Sequence, residues 1–166
     1  MGLHQDRVYT LARALLRDRE AAADVTQEVL IRLWRHLPEL EGNLAAWLAR
    51  VTRNCCYDEL RRRRSQSQAL GTESPAEVLE DHAAHGPSPE RLASSSELGR
   101  RLRDAVAELG EPYRSVILMR EVQEMKYQEI ALALEIPLNT VKIQIHRARR
   151  LLRERIEEVN GHVAVG

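Results

Sequence analysis

Residues 139–155, NTVKIQIHRARRLLRER, hold six basic side chains and one acidic one. Arg and Lys offer only hydrogen-bond donors, the chemistry that meets phosphate oxygens and guanine edges. Thr140, Ile143, Arg147 and Arg150 recur at helical spacing, with Asn139, Lys142, His146 and Arg153 beside them. Ile143 is awkward on a merely solvated face. It makes sense where a thymine methyl or a sugar covers it in a major groove. A second set, Asn54, Asp58, Arg61 and Arg62, also keeps helical spacing. An Asn pairs with a base edge, and arginines neutralise the phosphates of duplex or single strand. Asp58 near phosphate is odd unless it orients Arg61 or Arg62 through a pair three or four residues on. A third set, Asp24, Gln27 and Glu28, makes an acidic-amide patch suited to basic side chains of a protein partner. Each set has a plainer alternative, a solvated helix face, and part of Arg61–Arg64 fits a basic helix end opposite the dipole.

Catalytic chemistry is not among the readings these residues support. No nucleophile and base share a short spacing, and no Gly-rich loop is present to cradle a phosphate. His4, His36, His82, His85, His146 and His162 are scattered, and two adjacent cysteines, Cys55 and Cys56, cannot assemble a thiolate zinc site or a disulfide scaffold. In a helix they read as packing residues, with oxidant sensing as the rival. No catalytic residue, metal or cofactor is expected.

Helices must position all three sets. Val8, Leu11 and Leu15 mark a first amphipathic helix ending near Asp18, which can cap a second running to about Leu37, before Pro38. That helix places Val29, Leu33 and Leu37 on one stripe and Asp24, Glu28, Arg32 and Arg35 on another. After the loop PELEGN, a third helix begins near Leu44 and carries Trp47, Leu48, Val51 and Leu60 into RRRRS. Trp47 and Tyr57 are candidate stackers, Trp47 fitting a core role better. Further on, helices are expected from about Ser96 to Leu109, over Pro112–Val122, over Tyr127–Leu134, and from Asn139 to about Val159. The last two, joined by about four residues, fit a helix-turn-helix. Tyr127, Ile130, Ala131 and Leu134 would form the buried stripe of its first helix. Val141, Ile145, Ala148 and Leu152 would form that of its second, with Asn139 and Thr140 capping the start. Glu135 stands where a left-handed glycine often ends such a helix.

Between the two helical parts lies SQSQALGTESPAEVLEDHAAHGPSPERLASSSE, rich in Ser, Ala, Pro and Gly and lacking a sustained apolar period, with a short helix possible around Pro75–Ala83. It reads as a linker. Charge follows the same division. Residues 1–64 hold 12 basic and 9 acidic side chains (net +3), residues 65–97 hold 1 and 6 (net −5), and residues 98–166 hold 12 and 10 (net +2). The formally neutral total therefore hides two mildly basic ends. No alternating strand pattern appears, so the fold class expected is all-α, two small helical domains on a flexible acidic linker. No apolar run reaches the roughly 18 residues of a membrane span, and MGLHQDRVYT lacks the apolar core of a signal peptide. A cytoplasmic protein without direct membrane insertion is expected.

LGEPYRSVILMREVQEMKYQEIALALEIPLNTVKIQIHRARRLLRERI resembles region 4 of bacterial sigma factors of the extracytoplasmic-function (ECF) type. Alone it would also fit the helix-turn-helix of response regulators. DREAAADVTQEVLIRLWRHL resembles region 2.1–2.2 of the same family, and AAWLARVTRNCCYDELRRRR resembles the part that follows. The halves match in order over about 130 of 166 residues. NTVKIQIHRAR stands where the family pattern is GTVKSRLHRAR, so Asn139, Ile143 and Gln144 depart near the DNA, and Glu135 replaces the turn glycine. No region 1.1 and no folded region 3 are expected, as in the minimal members.

The resemblance implies residues 1–64 as sigma region 2, 65–97 as linker and 98–166 as sigma region 4. It implies a transcription initiation factor with core RNA polymerase, promoter DNA and an anti-sigma factor as partners. Asp24, Gln27 and Glu28 would bind the polymerase. Asn54, Asp58, Arg61 and Arg62 would handle the opened −10 element, with one extruded base captured in the Pro38–Asn43 loop. Asn139, Thr140, Lys142, Ile143, His146, Arg147 and Arg150 would read the −35 element as duplex. The acidic linker would thread the polymerase channel, or act as a plain tether. With no Phe, four Tyr and two Trp, opening a strand rests on capturing one or two bases rather than on an extended stacking platform. Two rivals stay open, a free-standing helix-turn-helix regulator and an interaction module that titrates another factor.

Overall fold

The computed structural model describes residues 2–71 and 97–163. Helix α1 spans Gly2–Leu16, α2 Arg19–His36 and α3 Leu44–Ala69, with a 3-10 turn at Leu37–Glu39 before α3. In the second half α4 spans Glu97–Glu108, α5 Tyr113–Glu121, α6 Tyr127–Leu134 and α7 Leu138–Val163. Among the described residues there is no strand, and the all-α reading holds.

The first three helices pack pairwise because each carries one apolar stripe. Val8, Leu11, Ala12 and Leu15 from α1 meet Ala22, Val25 and Val29 from α2 and Leu48, Ala49 and Cys56 from α3, all buried. Asp18 starts α2 as expected. In extended backbone its carboxylate accepts the Ala21 N–H at 3.1 Å, satisfying one of the amides a helix start leaves without a partner. Asn43 does the same for α3 through the Ala46 N–H at 2.9 Å. Leu37, expected on the core stripe with Val29 and Leu33, is instead exposed, because the chain leaves the α-helix there for the 3-10 turn that contains Pro38. Helix α3 also runs past Arg64 to Ala69, so the start of the expected linker is helical. The short helix expected around Pro75–Ala83 lies outside the described residues.

In the second half α5 and α6 pack on α7. Val141, Ile145 and Ala148 are at most 1% exposed and Leu152 is buried, which bears out the expected stripe. On α6 the expected stripe faces the core but is not its most buried part: Ile130 is buried, Tyr127, Ala131 and Leu134 are half-buried against the core, and Ala133, not expected there, is buried. Helix α7 begins at Leu138, so Asn139 and Thr140 sit inside its first turn rather than capping it from outside.

The halves are not merely tethered. Helix α3 packs on α6 and α1 touches α5, so the buried residues of both halves join in one cluster. Polar links cross the seam. Arg7 donates to the Gln123 carbonyl and Gln123 returns a bond to the Arg7 carbonyl, each at 3.1 Å. Arg17 pairs with Asp104 at 2.6 Å, and the Arg114 guanidinium donates to the Leu15 carbonyl.

Candidate nucleic-acid and polymerase interfaces

Helix α7 divides its cations by what sits beside them. Arg149 is held by Glu121 of α5 at 2.6 Å, and that hydrogen bond raises its already high pKa. Arg155 pairs with Glu108 of α4. These two arginines fasten α7 to its own half. Asn139, Lys142, Ile143, His146, Arg147 and Arg150 are exposed, away from the buried stripe, and Thr140 is half-buried. Arg150 has only a loose 3.6 Å approach to Glu154. Ile143 remains 52% exposed in the middle of this stripe. Gln144, grouped with the DNA-near departures from sequence, is half-buried and turned inward, its Oε1 without a hydrogen-bond partner among the described residues.

The turn that presents α7 is built tightly. Glu129 accepts the Lys126 N–H at 2.8 Å at the start of α6, and that bond, ahead of one from Asn43, lowers its pKa. Glu135 ends α6 in the left-handed region at φ 55°, ψ 43°, and its N–H reaches the Ala131 carbonyl. A glutamate therefore takes the conformation a glycine adopts without strain.

On α3, Asn54, Asp58, Arg61 and Arg62 are exposed, while Thr52, Cys55 and Cys56 are buried on the other side. Asp58 pairs with Arg61, as the spacing predicts. The arginine run splits by role. Arg63 reaches Glu59 at 2.7 Å and Asp18 at 2.9 Å, tying α3 to the start of α2. Arg62 bonds Glu59 at 2.9 Å. Burial would raise the Glu59 pKa, but its bonds to Arg63 and Arg62 outweigh this and lower it. Arg63 is thus a structural residue, and Arg61 and Arg62 face solvent. Trp47 is half-buried, its ring 6.2 Å from that of His36. Both cysteines are buried and free; burial pushes the Cys55 thiol up and the Cys56 thiol up to about 12.

On α2, Asp24, Gln27 and Glu28 lie exposed on one side, with Arg32 donating to Glu28 at 2.8 Å. Beyond them Ile31 is 42% exposed and Trp34 72% exposed. Sequence reasoning passed over this apolar extension. Its signal was present, because 27, 31 and 34 are four and three residues apart and share a stripe.

Residues 1–66 match the Sigma-70 region 2 family and residues 99–152 match the Sigma-70, region 4 family. SigL, an ECF RNA polymerase sigma factor of Mycobacterium tuberculosis, is 32% identical over 95% of this chain and 89% of its own length. The chain belongs to the ECF sigma factors. Members of this family are transcription initiation factors. SigW of Bacillus subtilis is 29% identical over 96% of this chain and 88% of its own. SigE of Mycolicibacterium smegmatis is 34% identical over 97% of this chain, which spans 62% of that protein's length. Among solved structures, the sigma factor RpoE of Bartonella quintana, in complex with the anti-sigma factor NepR, superposes with a TM-score of 0.73 at 24% identity, covering 93% of this chain and 92% of that one. CnrH in complex with the cytosolic domain of CnrY gives 0.68 at 20% identity, covering 95% of this chain and 84% of that one. Both share the fold. No described helix is long and apolar enough to cross a membrane.

Proposed function

We propose that this sigma factor works through three separate faces of its helices. Residues 1–64 act as region 2, 65–97 as the linker and 98–166 as region 4. Asp24, Gln27 and Glu28 bind core RNA polymerase, with Ile31 and Trp34 adding apolar contact on the same stripe. Asn54, Asp58, Arg61 and Arg62 engage the opened −10 element, Asn54 toward a base edge and the arginines toward phosphates. Asn139, Thr140, Lys142, Ile143, His146, Arg147 and Arg150 read the −35 element as duplex. The observation that carries this reading is the α7 helix itself. Its buried stripe is almost wholly sealed, and the opposite stripe leaves its cations exposed on the second helix of a helix-turn-helix.

Each face is small, and neither DNA face alone supplies many phosphate contacts. Held together on polymerase, the two would gain affinity through effective concentration. An anti-sigma factor, the kind of partner seen with the Bartonella quintana protein, would hold such a factor inactive.

The test is a gel shift of promoter duplex with the chain alone and with core polymerase, alongside transcription from the same promoter. Specific binding and initiation are expected only with core polymerase. Tight specific binding by the chain alone would favour a free-standing regulator instead, and absence of transcription with core enzyme would favour a titrating interaction module.

A further inference from the structure

The arginine run of α3 leads directly into serines, RRRRSQSQ over residues 61–68. The strand-handling reading uses Arg61 and Arg62 and leaves the serines without a role. Helix α3 continues to Ala69, but beyond Arg63, which reaches back to Asp18, its packing thins. Residues 64–66 and 68–71 are exposed and Ser67 is half-buried. The last turns therefore hold their shape mainly through backbone bonds, and opening them costs little. Opened, the segment presents the Ser65 hydroxyl behind four consecutive guanidiniums, a cationic ladder that a carboxylate-lined cleft can grip. Wound, Ser65 falls four residues after Arg61, three after Arg62 and seven after Asp58, so all four share one stripe. The present partners of these arginines hold them loosely. Arg61 and Asp58 are 74% and 62% exposed, where an ion pair contributes little. Arg62 shares Glu59 with Arg63.

We propose that Ser65 is a phosphorylation site for an arginine-directed serine/threonine protein kinase, and that its phosphoryl group closes the −10 face. The inference rests on the sigma-factor reading above and adds control of the face formed by Asn54, Asp58, Arg61 and Arg62. In the transfer the Ser65 Oγ attacks the γ-phosphorus of ATP. The Oγ–P bond forms as the bond from that phosphorus to the β–γ bridging oxygen breaks, ADP leaves, and the hydroxyl proton passes to a kinase carboxylate. The product carries close to two negative charges and three acceptor oxygens. At about 1.5 Å rise per residue it lies about 6 Å along the helix from Arg61. Arg61 and Arg62 can then turn to the phosphoryl oxygens in place of DNA, and any strand laid on them meets a like charge. The order of charges decides where the effect falls. An anion that follows its cation along a helix, and sits near the helix C-terminus, stabilises the helix poorly. The phosphoryl group therefore acts on the strand rather than bracing the tail. Asp24, Gln27 and Glu28 stand on α2, outside this stripe, so polymerase binding persists.

The experiment uses the full chain. With MgATP and the catalytic subunit of cyclic-AMP-dependent protein kinase as the probe, intact mass and peptide mapping should place a phosphoryl group on Ser65. Phosphate-affinity electrophoresis of the chain from its own cells should show a retarded band that Ser65→Ala abolishes. Phosphoserine installed in place of Ser65 during synthesis then tests the effect. Holoenzyme carrying it should bind a pre-opened promoter duplex about tenfold more weakly at about 0.01 M salt. That is the Coulomb repulsion, in water, between a doubly charged group and one strand phosphate about 6 Å away. The slope of log affinity against log salt should flatten by about 1.4, the value for two lost single-strand phosphate contacts. Ser65→Ala should match wild type in both, and affinity for core polymerase should be equal in all three chains. Phosphoryl groups on Ser67 alone, or on neither serine, would overturn the site. Unchanged affinity and slope in the phosphoserine chain, or an equal loss of core-polymerase binding, would overturn the closing of the face. Wild-type holoenzyme that fails to initiate at all would instead overturn the underlying assignment, so the failures are distinct.

Discussion

Ile143→Ala tests whether the outer stripe of α7 reads bases as well as phosphates. Full burial of an isoleucine side chain is worth about 2 kcal/mol. Ile143 is 52% exposed in the free protein, so covering the remainder with a thymine methyl should contribute roughly 1 kcal/mol, about fivefold in affinity. The assay is equilibrium binding of holoenzyme to promoter duplex at fixed salt, with −35 thymines intact or replaced by uracil, which lacks only the methyl group. Ile143→Ala and uracil replacement should each weaken binding about fivefold. Combined, they should weaken it by little more than either alone, because both remove one contact. Thermal stability should move by less than about 0.5 kcal/mol, as expected for an exposed position. Additive losses, or a variant that binds both duplexes like wild type, would refute a methyl contact and leave Ile143 as an incidental surface residue.

Asp18→Ala removes the Ala21 cap and the Arg63 pair, which should cost about 1 to 1.5 kcal/mol and lower the melting temperature by about 2–6 °C in thermal melts. The Ala21 N–H, and after it Arg63, hold the Asp18 pKa below the usual 3.8. Its contribution is therefore full above pH 4 and fades as pH falls through the lower folded value, so the two melting curves should converge in acid; a constant gap down to pH 2 would contradict this. Cys55 and Cys56 should alkylate slowly at pH 8 in the native state and fast in denaturant, since burial keeps both thiols protonated; native-state labelling at the rate of a free exposed thiol would argue otherwise. Glu135→Gly and Glu135→Ala both lose the Arg50 pair, so their difference isolates the left-handed backbone. The glycine variant should be more stable by about 1 kcal/mol in denaturant titrations, and equal stability would show the turn to be unstrained.

Helix type and the α7 register were legible because they depend on local periodicity. Val141, Ile145 and Ala148 can share a stripe in only one way, and Asp18 before an apolar repeat announces its cap. Errors arose where one residue's neighbours decide its fate. Leu37 keeps the core period but falls in the 3-10 turn that contains Pro38, and Ala131 keeps it on α6 but is half-buried, whereas Ala133 is buried. The arginine run shows the same limit. Composition makes Arg61 to Arg64 equivalent, yet Arg63 reaches back 45 positions to Asp18 and becomes a brace. Such a contact has no signature at short spacing.

Docking of the halves was the least legible feature, and charge totals pointed away from it. With net charges of +3 and +2 over residues 1–64 and 98–166, the halves should repel as wholes. Placement reverses that conclusion. Asp104, Glu111, Glu129 and Glu135 of the second half meet Arg17, Arg53, Asn43 and Arg50 of the first. The exposed cations Lys142, Arg147 and Arg150 stand on α7, which makes none of these bonds across the seam. Four acids of the second half thus lie toward the first half, while Lys142, Arg147 and Arg150 face solvent. The bonds that join the halves and the exposed cations of α7 therefore occupy different parts of the second half, which is why totals over each half say nothing about whether the halves meet.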